Sequence, residues 1–296
     1  MIRNIIIAGF ILIGFTYCRK ADKEEIQQVK DQEKFDETSA AVAERFEGMA
    51  STISIAELSG QLQSMGAEFN SEFINDPANV GSYTTDDIKT AANLGIYYVD
   101  INYAAAYDKR DLAVSLFNSA QSLANELGVG RFFDQAILTK FEESMTAEGK
   151  AVVENSLQEA SKNLNTENQP RISGIILAGV LVERMHLLGS IIDQARDQEG
   201  LSDEDRSLLV MPAMRAAVQQ KDNFKNVVEY LKTVRNADDP NPIFWRNLNS
   251  INNEFATLEE VKAQLDRTEA VDPSVLNGLF AAVNETRADV VAAPSE

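Results

Sequence analysis

The sequence is poor in the residues that build most metal sites and covalent crosslinks. Among 296 residues it has one cysteine, Cys18, and one histidine, His186. A single cysteine cannot form a disulfide within the chain, and this pair cannot assemble a zinc site based on histidine and cysteine. Lysine and arginine are also outnumbered, 27 against 46 acidic residues, for a net charge of −19. Because that charge repels phosphate backbones, we expect no nucleic-acid partner. Because the chain has only one histidine and one cysteine, we also expect no metal, and no other cofactor is expected.

Several catalytic and nucleotide-binding patterns are also missing. The sequence contains no G-x-S-x-G, no G-x-x-x-x-G-K-[ST] and no G-x-G-x-x-G, so neither a serine-hydrolase elbow nor a phosphate-binding loop is supported. Alternating β-branched runs are missing too, whereas apolar residues recur at spacings of three and four. This pattern predicts an all-α fold. Since no period of 30 to 45 residues is present, we expect an irregular multi-helix bundle and not a solenoid of repeats.

The N-terminus has the layout of an export signal. Arg3 precedes an uncharged apolar run from Ile5 to Phe15, which ends shortly before Cys18. The uncharged stretch, residues 4–18, would reach only ~22 Å as a helix, short of the ~30 Å hydrocarbon core of a bilayer. A cleaved signal is therefore favoured over a transmembrane anchor.

This segment resembles a bacterial lipoprotein signal, in which the cysteine is lipidated and becomes the mature N-terminus. That family usually places leucine three residues before the cysteine and a small residue directly before it; here those positions hold Phe15 and Tyr17. The resemblance implies a signal peptide (1–17), a lipidated Cys18 with a charged tether (18–40) and a single helical domain (41–296). It also implies attachment to a membrane of the cell envelope, such as the outer membrane, in a periplasmic or surface-exposed position. The alternative is an ordinary or uncleaved signal with an incidental cysteine.

The helical body is predicted in some detail. A capping box at Ser54 opens a first amphipathic helix, and residues 75–83 are expected to form a loop. Later helices are expected over 85–107, 112–127, 132–145, 147–164 and 172–192, from residue 202 onward, around 224–231, and over 244–270 and 273–291, the last beginning at Pro273. Pro212 is expected to kink or interrupt the helix that begins at 202. The most apolar of these, 172–192, is interpreted as a core helix with small residues that allow close helix approach. Trp245 and Phe244 are expected to pack inward at a helix start, with an exposed partner anchor as the alternative.

The body also resembles uncharacterised bacterial lipoproteins of helical type. The similar segments are Gly95–Tyr103 and Arg287–Val291. This second resemblance covers most of the mature chain but implies no particular activity.

Tyrosines concentrate in one segment and suggest a ligand site. Asp100, Tyr103 and Tyr107 share a helical face, and Tyr97 lies one turn earlier. Such a face can stack on a flat molecule and hydrogen bond with its edge. The alternative is that these tyrosines form the rim of the core.

A polar stripe crosses the most apolar helix. Glu183, His186, Ser190 and Asp193 fall at i, i+3, i+7 and i+10, so they share one face. This stripe could serve acid-base chemistry or respond to pH, although it could equally be the polar edge of a core helix. Glu183 and His186 also have the E-x-x-H spacing of di-iron bundles, but the second E-x-x-H that such a site needs is missing.

Taken together, these features favour a non-catalytic lipoprotein that binds or scaffolds another envelope component. Such a module is expected to expose an apolar patch of several hundred Å². Two alternatives are a small-molecule binding protein that uses the tyrosine face, and an enzyme that depends on Glu183 and His186.

Overall fold

The computed structural model describes residues 68–292, apart from 85, 144–146, 168, 198–199, 201, 235–241 and 268–270. The predicted signal peptide, Cys18, the tether and the capping box at Ser54 lie outside the described residues. All described residues belong to one compact unit.

The described part of the chain is helical throughout, and no strand occurs in it. This confirms the predicted all-α class and the irregular bundle. Its ten α-helices are α1 (Asp87–Ala106), α2 (Arg110–Glu126), α3 (Gln135–Glu143), α4 (Ala147–Thr166), α5 (Pro170–Asp197), α6 (Asp203–Gln219), α7 (Lys221–Val234), α8 (Pro242–Ala256), α9 (Glu259–Asp266) and α10 (Asn277–Val291). Short 3₁₀ helices span Ser71–Phe73, Pro77–Tyr83, Gly130–Phe133 and Pro273–Leu276.

Helix boundaries follow the capping residues in the sequence. The side chain of Asp86 accepts hydrogen bonds from the amides of Ile88 and Lys89, which satisfies free donors at the start of α1. Gly128 follows the end of α2 with a φ of +76°, a conformation in which glycine carries no steric penalty. Both boundaries agree with the sequence-based prediction.

Other boundaries differ from the prediction for local reasons. The predicted loop over 75–83 contains a 3₁₀ helix, because the side chain of Asp76 accepts from the Ala78 amide and Pro77 occupies the first helical position. The single helix expected up to residue 270 is two helices, α8 and α9. Between them the amide of Thr257 bonds to the carbonyl of Glu254, a tight turn that ends α8, and Leu258 enters the core.

Three further starts and interruptions are corrected. The helix expected from Phe132 begins instead at Gln135, where the Asp134 side chain accepts from the amides at 136 and 137. Helix α6 continues through Pro212, so of the two expected outcomes, a kink or an interruption, the interruption is not found. Pro273 is the first helical residue of the last element, as expected, but it opens a 3₁₀ turn, and α10 begins only at Asn277.

Helix α5 is the centre of the bundle. Helices α1, α4, α6, α7 and α10 all pack against it. Its length and hydropathy would suffice to span a bilayer, but 89% of its most apolar window is buried inside the protein. This agrees with the predicted core helix. Phe244 and Trp245 are buried as well, so these aromatics pack inward as expected.

Helices α1 and α5 approach each other at two glycines. A Cβ atom at Gly179 would lie 2.1 Å from the carbonyl oxygen of Ala92, and one at Gly95 would lie 2.2 Å from that of Ile176. Both contacts are with backbone atoms, which cannot move without displacing a helix. Glycine at these two positions therefore sets the separation of the two most central helices.

We predict that Gly179→Ala destabilises the protein by about 1–3 kcal/mol, because the added methyl group forces α1 and α5 apart. The measurement is urea unfolding followed by circular dichroism. Gly81→Ala is the matched control, since a Cβ there meets no atom within 4 Å. Equal stability of the two variants would show that the close approach is not needed.

Candidate functional site

The tyrosine face of α1 is covered by a segment of the same chain. We call residues 68–84 the strap. The Phe69 ring stacks on Tyr103, with centroids 5.3 Å apart, and lies 5.7 Å from Tyr107. The Tyr97 hydroxyl donates to the carbonyl of Asp76 at 2.9 Å. The face predicted to hold a ligand is thus occupied by the strap.

The covered hydroxyl groups are neutral hydrogen-bonding groups. Burial raises the pKa of Tyr103 to about 12, and its hydroxyl accepts from the amide of Asn70 at 3.3 Å. Burial also raises the pKa of Tyr97 and of Tyr107. The Tyr107 hydroxyl oxygen is sealed from solvent and has no hydrogen-bond partner among the described residues. It is therefore a buried polar group that the described part of the fold leaves unsatisfied.

Beneath the strap, polar side chains from four parts of the fold meet in a continuous group. They come from the strap, α1, α5 and α10. We call this group the core polar cluster; its members are Asn75, Tyr83, Asn93, Asp100, Glu183 and Arg287.

The amide side chains of the core polar cluster connect the strap to α1 and α10. Nδ2 of Asn75 donates to Oδ1 of Asn93 at 3.0 Å, and Tyr83 donates to Oδ1 of Asn75 at 3.0 Å. Nδ2 of Asn93 donates to the carbonyl of Val290 at 2.9 Å. Because buried amides need partners, these bonds fix the position of the strap and of the end of α10.

Glu183 and Arg287 form a buried, bidentate ion pair. Nε of Arg287 lies 2.6 Å from Oε2 of Glu183, and Nη2 lies 2.9 Å from Oε1. The Glu183 side chain is fully buried, while that of Arg287 is 14% exposed. Although burial acts to lower the pKa of Arg287, the attraction of Glu183 raises it above the usual value. Both oxygens of Glu183 are therefore engaged by α10.

Asp100 is the second carboxyl group of the core polar cluster. It is fully buried; Oδ2 accepts from the Asn75 amide at 3.0 Å, whereas Oδ1 meets no donor among the described residues. Burial, and then repulsion by Glu183, raise the pKa of Asp100 well above its ordinary value. A proton on Asp100 supplies the donor for a hydrogen bond between the two carboxyl groups. With that proton, one negative and one positive charge remain in the core polar cluster.

The predicted polar stripe divides into a buried half and an outer half. Glu183 faces Arg287, and one turn later Nδ1 of His186 lies 2.8 Å from Oδ1 of Asn284. Because an amide oxygen accepts, Nδ1 carries the hydrogen in this contact. Farther along, Ser190 is half-buried and Asp193 is exposed. Glu183 and His186 thus hold α10 antiparallel to α5. The four side chains of the stripe do not meet at a common site.

Sequence reasoning named two members of the core polar cluster, Asp100 and Glu183, but assigned them to different sites. It did not predict the partners Asn75 and Asn93, or the role of Arg287. One feature of the sequence could have indicated a buried ion pair: a glutamate in the most apolar segment of the chain requires a cation.

No group of three or more His, Cys, Asp or Glu side chains is placed to hold a metal ion in the part of the chain that the structure describes. Comparisons with protein-family models, with curated proteins and with solved structures give no significant match.

We predict that Arg287→Met destabilises the protein by about 3–5 kcal/mol, because it leaves buried Glu183 without its cation. The double variant Glu183→Met/Arg287→Met is expected to recover much of that loss. The measurement is a double-mutant cycle of unfolding free energies. Lys262→Met, which removes one partner of the exposed Lys262–Asp266 pair, is the control and should cost less than about 1 kcal/mol. Additive effects at 183 and 287 would contradict the pairing.

We predict a pH-dependent stability difference between Asp100→Asn and the wild type. Because the pKa of Asp100 is higher in the folded protein than in the unfolded chain, a protonated Asp100 stabilises the fold. This stabilisation is complete below the ordinary pKa of 3.8 and is lost as the pH rises towards the pKa of the folded protein. Asparagine keeps both a donor and an acceptor without a charge. The unfolding free energy of Asp100→Asn, relative to that of the wild type, should therefore increase with pH by up to about 1.4 kcal/mol per pH unit and then level off. Urea unfolding over a pH series measures this.

The control is Asp111→Asn on α2, which removes the same charge from an exposed site. Its stability should follow that of the wild type at every pH. If the stability of Asp100→Asn changed with pH in the same way as that of the wild type, Asp100 would not retain its proton on folding.

Proposed function

We propose that this chain is an envelope lipoprotein, anchored through a lipid on Cys18, whose helical body acts as a non-catalytic binding or scaffolding subunit. One observation carries the non-catalytic part. The side chains with the best catalytic chemistry are used to join helices: Arg287 engages both oxygens of Glu183, and Asn284 holds Nδ1 of His186. The other ring nitrogen of His186, Nε2, is sealed from solvent. A general base needs a free atom within reach of its substrate, and a sealed nitrogen does not meet that need.

The anchor rests on the sequence. An apolar run without charge ends at the single cysteine, and a segment rich in both signs of charge follows it. Acyl chains contribute ~0.8 kcal/mol of membrane affinity for each buried CH₂ group, so more than one chain on Cys18 holds the body firmly at the bilayer.

The described surface favours a partner recognised through charge. Among the described residues, the large apolar side chains that are exposed are Ile243 and Val275. The extended apolar patch expected of a binding module is not found there. The whole chain has a net charge of −19, so we expect its acidic side chains to complement a basic surface on an envelope protein. Such contacts speed association and set specificity.

A small-molecule role for the tyrosine face is the second candidate. The hydroxyl of Tyr107 is buried without a partner among the described residues, and a polar ligand could satisfy it. Because the strap occupies this face, such a ligand has to displace it.

We predict that Cys18→Ser moves the protein from the membrane fraction to the soluble fraction, because no acyl chain can be attached. Wild-type N-terminal peptides from detergent extracts should carry the diacylglyceryl mass on Cys18. Cross-linking in intact cells should capture a basic envelope protein with the wild type and much less of it with Cys18→Ser.

Tyr17→Ala is the matched control. It places a small residue before the cysteine, as the lipoprotein family does, and should leave lipidation and membrane association intact. An unmodified Cys18 thiol in the mature wild type would end the anchor proposal. A membrane-bound protein that cross-links to nothing would remove the scaffolding role and keep the anchor.

A further inference from the structure

We propose that the strap is a proton-controlled cover. It stays closed over the tyrosine face while Asp100 carries a proton, and it opens when that proton is lost. This inference does not depend on lipidation or on the identity of any partner.

The geometry places Asp100 directly under the strap. Its Oδ2 receives the amide hydrogen of Asn75, whose side chain in turn bonds to Asn93 and to Tyr83. On the other side, Asp100 faces Glu183 of α5 and Arg287 of α10. The strap is therefore one wall of the compartment that excludes water from this carboxyl group.

The charges around Asp100 determine how the closed state responds when this group ionises. The titratable groups that face it are Glu183, Arg287, Tyr97 and Tyr103. Tyr83 of the strap faces Tyr97 and Arg287 in the same compartment, and Asp76 faces Tyr97. Arg287 already pairs with both oxygens of Glu183. A second negative charge has no further cation among these groups, so it destabilises the closed state.

The strap is the wall that can yield at least cost. Of its residues, only Ile74, Asn75 and Tyr83 are buried, whereas α5 is packed against five other helices. Opening α5 or α10 would expose far more apolar surface than lifting the strap. Segments with few buried apolar contacts open first in native proteins.

Several contacts hold the strap closed whatever the pH, among them the bond from the Tyr97 hydroxyl to the Asp76 carbonyl. The one that strengthens when Asp100 ionises is the bond from the Asn75 amide. The Asn75 amide stabilises the ionised form of Asp100, but burial, the largest influence on this group, favours the neutral form. Hydration of an open Asp100 replaces that single amide bond. Opening also uncovers the rings of Tyr103 and Tyr107, which Phe69 otherwise covers. Loss of the proton thus converts a sealed face into an accessible one.

The test is amide hydrogen exchange of the full chain, measured by mass spectrometry from about pH 5 to about pH 8 and expressed relative to unfolded peptides at each pH. Protection of strap amides should fall with rising pH, by up to about ten-fold per pH unit. Protection in α5 should stay constant over the same range. This comparison needs only the wild-type protein.

Two variants separate the proton of Asp100 from other titrations. Asp100→Asn should keep strap protection high and independent of pH, while the exposed Asp111→Asn should behave as the wild type does. Strap protection that is constant with pH in the wild type would overturn the proposal. So would a fall in protection that Asp100→Asn shares, or one in which α5 opens together with the strap.

Discussion

The structure depends on a buried ion pair between Glu183 and Arg287. A lone carboxylate in the middle of the most apolar helix would cost several kcal/mol, so the fold has to supply a cation at that point. Arg287 of α10 supplies this cation, and two nitrogens of its guanidinium group contact the Glu183 carboxylate. The pair consequently fixes the register of α10 on α5, and the contact between His186 and Asn284 extends the same alignment by one turn.

Around this pair, the remaining polar groups link the periphery to the centre. Asp100 adds a second carboxyl group, and burial raises its pKa well above the ordinary value. Asn75 and Asn93 continue the network to the strap and to the end of α10. Residues that resemble catalytic groups in the sequence thereby serve as connections between helices. Polar networks of this kind favour one arrangement of a core that apolar packing alone would leave less defined.

The fold was predictable from sequence to a larger extent than the candidate site was. Helices depend on local spacing and on caps such as Asp86, which are visible in a few consecutive residues. The core polar cluster depends on contacts between distant positions: Glu183 lies 104 residues from Arg287, and Asn93 lies 197 residues from Val290. The strap was missed for a related reason, because its position is set by α1 and not by its own periodicity.

The location of Arg287 in α10 has a consequence for the order in which the protein matures. Ribosomes make Asp100 and Glu183 well before the guanidinium group that pairs with Glu183. A nascent chain that has passed α5 therefore holds two acidic groups that its core cannot yet accommodate, and the central bundle stays incomplete until α10 arrives.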